Sequence, residues 1–163
     1  MTPEARAALL LSYAQGPALL KAALERCPAE SLDYQPGPGK WSIRTIVLHL
    51  AESEVHGYLR GRTIIAEPGE PVHAFDQDLW AQSLDPAAQP LLEAVDLFRL
   101  LREMMARQLR ALPEAAWEQW VMHSERGRMT LEQWLVGYEG HLTTHLAQLD
   151  RACAAWRKAG AAV

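Results

Sequence analysis

Leu91, Val95, Phe98, Leu101, Met105, Leu109 and Leu112 recur at three- and four-residue intervals, the spacing of one face of an α-helix. Three more segments carry a stripe of the same period. Leu9, Tyr13, Leu20 and Leu24 form the first, widened by Leu10 and Pro17. Ile43, Val47, Leu50, Gly57 and Tyr58 form the next, extended by Ile64 and Ile65. Leu131, Leu135, Tyr138, Leu142, Leu146, Leu149, Cys153 and Trp156 form the last. One-sided helices of this kind must bury their stripes against one another, which makes a helical bundle the expected fold.

The stops and starts are equally legible. The first predicted helix runs from about Pro3 to Arg26, with a kink or short break expected at Gly16-Pro17, because Pro17 cannot donate to the Tyr13 carbonyl. The stretch from Cys27 to Lys40 is irregular and rich in Pro and Gly. Ser42 is the expected N-cap of a second helix ending near Ala66. The third begins between Asp85-Pro86 and Gln89-Pro90 and ends at Pro113. Thr130 and Gln133 read as a capping box opening a fourth helix that runs to about Arg157, with a fraying Ala-rich tail. Met104 and Met105 are expected to fill gaps in the core. Residues 67–85 are too many for a simple bend but enough to cross the bundle, so they are a candidate lid; Asp76 to Trp80 forms a short helical turn within them. A second connector runs from Glu114 to Met129.

A chain of 163 residues, 49% of them hydrophobic, suffices for one ordinary domain spanning 1–163. A net charge of −4, with no basic run beyond Arg157-Lys158, argues against nucleic acid as a partner. Cys27 and Cys153 are too few for a disulfide framework and are expected to be free thiols. The start of the chain lacks the basic and apolar regions of a signal peptide, and no uninterrupted apolar stretch approaches a membrane span. The expectation is a soluble, cytoplasmic protein.

His141 and His145 stand four residues apart, roughly 6 Å along a helix and about 40° around it, so both imidazoles can reach one metal ion. A catalytic zinc-type site usually takes three protein ligands. The best third donor is His49, at the margin of the second helix's apolar arc on the side of Ile46, Ser53 and His56. His145 lies about 40° and His141 about 80° off the centre of the fourth stripe, positions that are half buried yet able to meet a cleft. The pair could arise by chance on a helix flank, and His49 alone could be a hydrogen-bonded core histidine. Margin histidines on two amphipathic helices together point to a metal held between them.

Glu52 and Gln148 are placed for bonds to the imidazole N–H groups. Glu54 falls within an apolar arc and must be paired, protonated or bound. It is either an internal ion pair or a general base. His56 cannot share the first coordination shell with His49 and is a solvent-facing residue or a lip of the cleft; His73 and His123 lie in connectors, His123 with a route to the substrate. No GxSxG, P-loop, dinucleotide fingerprint or HExxH motif is present.

The runs Trp41-Ser42-Ile43-Arg44-Thr45-Ile46-Val47-Leu48-His49-Leu50-Ala51-Glu52-Ser53, Phe75-Asp76-Gln77-Asp78-Leu79-Trp80, Met129-Thr130-Leu131-Glu132 and His141 to Leu149 resemble the DinB superfamily, most of all its YfiT-like branch of metal-dependent hydrolases and bacillithiol transferases. The resemblance covers nearly the whole chain. It implies an all-α four-helix bundle in up-down-down-up order, with a long crossover between the second and third helices. It also implies a nickel or zinc ion on His49, His141 and His145, and a homodimer. Some relatives activate a low-molecular-weight thiol such as bacillithiol. The leading expectation is therefore thiol transfer to an electrophile lying beneath the 67–85 connector, where Trp80 shields it. Hydrolysis at the same ion is the nearest rival. A non-catalytic metal-binding bundle and a metal-free structural bundle are the others.

Overall fold

Thr2, Ser42, Asp76 and Thr130 each turn a side-chain oxygen onto a free backbone N–H three residues on, and a helix starts after each of them. In the computed structural model, which describes residues 1–160, the helices are α1 (Pro3–Glu25), α2 (Ile43–Ala66), α3 (Gln77–Ser83), α4 (Leu91–Arg110) and α5 (Leu131–Gly160). The capping box is reciprocal: Gln133 N donates to Thr130 Oγ1 at 3.2 Å and Thr130 N to Gln133 Oε1 at 2.9 Å. α5 is helical through Gly160, and the rest of the expected fraying tail, 161–163, lies outside the described residues. The expected break at Gly16-Pro17 does not occur. α1 continues through it, because Tyr13 and Leu20 on either side are both fully buried and Gly16 itself lies against Arg102 and Leu142. That packing outweighs one missing helical hydrogen bond.

Polar contacts at the helix ends give the order of the bundle. Arg6, near the start of α1, bonds Glu132 at the start of α5, and Arg26, just past the end of α1, bonds Asp150 near the end of α5, so these two helices run parallel. Arg44 reaches the Gln89 carbonyl just before α4, and Arg62 reaches Gln108 near its end, so α2 and α4 are parallel too. Trp134 Nε1 donates to the Gly57 carbonyl across an antiparallel α2/α5 contact. The result is an all-α, four-helix bundle in up-down-down-up order, with α1 flanked by α4 and α5, and α2 by the same pair. Parallel neighbours cannot be joined by a short turn, and the chain between α2 and α4 runs the length of the bundle.

Two apolar clusters fill the interior. One contains Leu20, Ile43, Val47, Phe98, Leu142 and Leu149; the other contains Tyr13, Ile64, Met105, Leu109, Trp134 and Leu135. Between them lies Arg102, its guanidinium over the rings of Phe98 and Tyr13 at 4.8 and 4.3 Å. Met105 is fully buried, but Met104 is exposed rather than gap-filling: it sits on the outer side of α4. α1 is long and apolar enough by composition to cross a bilayer, yet it buries Arg6, Tyr13 and Leu20 against its neighbours.

The connectors carry strands that helical periodicity could not reveal. β1 (Pro71–Val72) pairs in parallel with β2 (Trp120–His123), and β2 pairs antiparallel with β3 (Gly127–Thr130). The turn between β2 and β3 is closed by Gly127 at φ 68°, a left-handed conformation that glycine adopts without strain. This small sheet ties the crossover to the hairpin. Ala74 N donates to Ser124 Oγ at 2.9 Å and extends the tie toward Phe75.

Candidate metal centre

The site depends on how closely α5 approaches α2. A Cβ at Gly57 would collide with the Tyr138 ring, so only glycine lets the two helices come this near. With the helices antiparallel, His49, two turns before Gly57, then faces His141 and His145, which follow Tyr138. The three rings converge through their Nε2 atoms. His49 Nε2 lies 3.0 Å from His141 Nε2, and His141 Nε2 lies 3.1 Å from His145 Nε2. One ligand atom from each residue falls within 4.8 Å of the others.

The protonation states follow from the surroundings. Burial pushes His49 and His141 down to about 3, and neighbouring histidines add to the effect; burial also lowers His145. All three are therefore neutral near pH 7. Gln148 Oε1 stands 2.8 Å from His145 Nδ1, so Nδ1 carries the proton and Nε2 is a bare lone pair. Uncharged ring nitrogens packed this closely cannot all be satisfied by donating to each other. A borderline divalent cation is the partner that such a donor set fits. Nitrogens bound tetrahedrally at zinc distances would stand roughly 3.3 Å apart, within a few tenths of an ångström of the 3.0 and 3.1 Å separations that His141 makes with its two neighbours.

Aromatic rings wall the centre. Trp41 stacks on His145 with centroids 6.2 Å apart and planes 8° apart, and it meets His49 at 4.9 Å. Phe75, from the crossover, lies 6.2 Å from His49 and is stacked on His56 at 4.2 Å. On the remaining side a cavity of about 500 Å³ reaches His141, lined also by Ser53, Arg60, Phe75, His123, Arg126 and Tyr138.

The other sequence candidates separate clearly. Gln148 meets His145, as its spacing suggests. Glu52 is half buried with its carboxyl raised by burial, but His49 Nδ1 has no hydrogen-bond partner, so Glu52 does not orient that ring. Glu54 is not at the site. It is 2% exposed and is held by Arg102 and by the Tyr13 hydroxyl, which donates to it at 2.6 Å. Trp80 packs on His56 and Phe75 and is not among the residues lining the cavity, where Phe75 stands in its place. His123 is buried and lines the cavity. Arg60, Arg126 and Tyr138 also line the cavity, beyond the residues expected from the sequence. For Arg60 a signal exists: His49, Ser53, His56 and Arg60 follow one another at helical spacing, a polar stripe beside the apolar one. For Arg126, in a hairpin turn, none does.

Comparison with known proteins agrees with this geometry. The DinB superfamily profile matches residues 12–149. A Bacillus licheniformis protein provisionally named a metal-dependent hydrolase is 30% identical over 136 residues, covering 83% of this chain and 77% of that protein. An Oceanobacillus iheyensis protein with the same provisional name is 28% identical over 137 residues, 84% of this chain and 79% of its own length. The solved structure of YfiT from Bacillus subtilis, described as a probable metal-dependent hydrolase with an unusual four-helix bundle topology, superposes with a TM-score of 0.87. It covers 98% of this chain and 90% of YfiT at 24% identity. With its three-histidine cluster between α2 and α5, the chain belongs to the DinB superfamily.

Proposed function

We propose that the protein is a metal-dependent enzyme that transfers a low-molecular-weight thiol to an electrophilic small molecule, with nickel or zinc held by His49, His141 and His145. The observation that carries this reading is the convergence of three neutral imidazole Nε2 atoms at the edge of an open cavity. A divalent ion supplies Lewis acidity there, favouring the deprotonated form of a thiol or of water.

The chain's own groups do the rest. Gln148 fixes the tautomer of His145. Trp41 and Phe75 keep bulk water from the flanks of His49, and the cavity beside His141 admits the second reactant. In the transfer, the thiol's proton leaves to solvent, a sulfur–carbon bond forms, and the bond from that carbon to its leaving group breaks. Thiol is favoured over water by the environment. Among the described residues no carboxylate hydrogen-bonds any of the three histidines, and Glu54 is committed to Arg102 and Tyr13. A thiol, with an ordinary pKa of about 8.5, needs less help to ionise than water does. Hydrolysis is the second reading, supported by the names given to the relatives.

The two separate in steady-state assays of metal-loaded protein with a panel of electrophiles, with and without a thiol. Consumption that requires the thiol and gives a thioether product is expected. Turnover unchanged when the thiol is omitted overturns transfer in favour of hydrolysis.

A further inference from the structure

The cavity beside His141 contains two guanidinium groups with no anionic partner. Arg60 comes from α2 and Arg126 from the hairpin turn, and both line the cavity. Among the described residues neither has a carboxylate oxygen within 4.0 Å, although both stand on the wall of a cavity rather than on the open surface. The two carboxylates on the same lining are not substitutes. Asp76 caps α3 through Leu79 N, and Glu125 is exposed and unpaired. Arg60 is held in place by bonds to the Tyr138 hydroxyl, at 2.9 Å, and to the His73 carbonyl, while its Nε–H is shielded from solvent and has no partner.

His123 adds a third donor. The backbone N–H groups of Glu125 and Arg126 point at its Nδ1, at 3.2 and 3.4 Å. Nδ1 is therefore the acceptor, and the proton of the neutral ring sits on Nε2. Burial and the two nearby guanidiniums outweigh the opposing Glu125 carboxylate and hold His123 below its ordinary range, so this tautomer persists near neutral pH. A buried imidazole beside two cations has no structural need to offer a free N–H to a cavity. The arrangement resembles a receptor for negatively charged oxygen: planar forks from Arg60 and Arg126, with an imidazole N–H on the same cavity wall.

We infer that this cavity binds a carboxylate or similar oxyanion carried by a small-molecule reactant, clamped by Arg60, Arg126 and His123 so that its reacting atom faces His141. The inference rests on the reading of this site as an enzyme centre, and names the class of molecule it takes. The oxyanion can belong either to the thiol or to the electrophile; the recognition chemistry is the same.

The test uses zinc-loaded full-length protein and follows binding by calorimetry at low ionic strength and neutral pH, with succinate and its uncharged diamide as probes. Succinate is expected to bind saturably, at least about tenfold more tightly than the diamide. R126Q, at an exposed position that does not threaten folding, is expected to weaken succinate at least about fivefold while R126K weakens it less, with zinc per chain unchanged. Equal binding of the diamide, or succinate affinity untouched in R126Q and R60Q, overturns the inference. Direct capture of succinate by the ion would give that second result. A further arm assigns the source. If the oxyanion belongs to the thiol, mercaptosuccinate binds far more tightly than 2-mercaptoethanol, and R126Q removes the advantage. If it belongs to the electrophile, the two thiols bind alike, and succinate still binds when either is saturating. Oxyanion binding without thiol transfer would reject the proposed reaction alone; transfer that ignores Arg126 would reject the clamp alone.

Discussion

Arg102 Nε donates to Glu54 Oε2 at 2.9 Å in the middle of the bundle, with the two side chains 1% and 2% exposed. The pair joins all four long helices. Tyr13 of α1 bonds the other carboxylate oxygen, and Arg102 also donates to the Tyr13 and Tyr138 carbonyls. Tyr138 lies one turn before His141, so this polar centre sits directly beneath the histidine cluster. It anchors the turn of α5 from which the cluster extends.

Removing one partner of this pair strands a buried charge. R102M or E54Q is expected to lower stability by about 3–5 kcal/mol in urea denaturation. Y13F, which removes a single donor, is expected to cost about 1–3 kcal/mol. A double variant, R102M with E54L, should recover much of the loss. Single variants as stable as the parent would show that the centre contributes nothing to the fold.

Metal content offers a direct check on the histidine cluster. Untagged protein is expected to hold one divalent ion per chain by elemental analysis, and H49A, H141A and H145A are each expected to reduce it to background. Q148A removes only the partner of His145 Nδ1, and should weaken zinc binding by about 10–100-fold without abolishing it. Full occupancy in all three histidine variants would place the ion elsewhere.

Acid should destabilise the metal-free fold through the same residues. Burial holds folded His49 and His141 at about 3, whereas an unfolded chain takes up these protons near pH 6.5. The stability present at neutral pH is therefore lost progressively as pH falls from about 6.5 toward 3. The slope is about 1.4 kcal/mol per pH unit for each of the two rings. His145, His56 and His123 are lowered too and act in the same direction. Urea midpoints measured between pH 7.5 and 5 on chelator-treated protein should fall, and H49L should flatten the slope. A midpoint independent of pH would contradict the neutral, buried state of these rings.

Gly57 sets the spacing of the two site-bearing helices. G57A places a methyl group against the Tyr138 ring and is expected to cost about 1–3 kcal/mol, together with a measurable loss of metal affinity as α5 is pushed from α2. Gly140, one residue before His141, has open space where its Cβ would lie, and G140A serves as the neutral control.

A good part of this is legible in the sequence alone. Helical periodicity, the caps at Ser42 and Thr130, and the punctuation at Pro90 and Pro113 delimit the four long helices, because those signals are local and each is satisfied within a few residues. The histidine cluster is legible in part for the same reason: His141 and His145 share a helix face by spacing alone, and Glu54 in an apolar arc reads as a carboxylate that needs a partner. What could not be read is which distant residue answers each local demand. Arg102 lies inside a stripe that reads as wholly apolar, and only the packing of four helices at one level shows that it meets Glu54. Met104 and Met105 look alike in sequence and differ in burial because the rotation of α4 in the bundle decides between them.

The three-stranded sheet, Phe75 as the wall over His49, and Arg126 beside the cavity all come from connectors. Their placement depends on pairings fifty residues apart, such as Val72 with His123, for which no periodic signal exists. The chain by itself determined the helices and the residues able to bind a metal, since both follow from neighbours along one rod. Tertiary structure alone decided what surrounds that metal site, because contacts between rods and loops depend on relative placement, which no short stretch of sequence encodes.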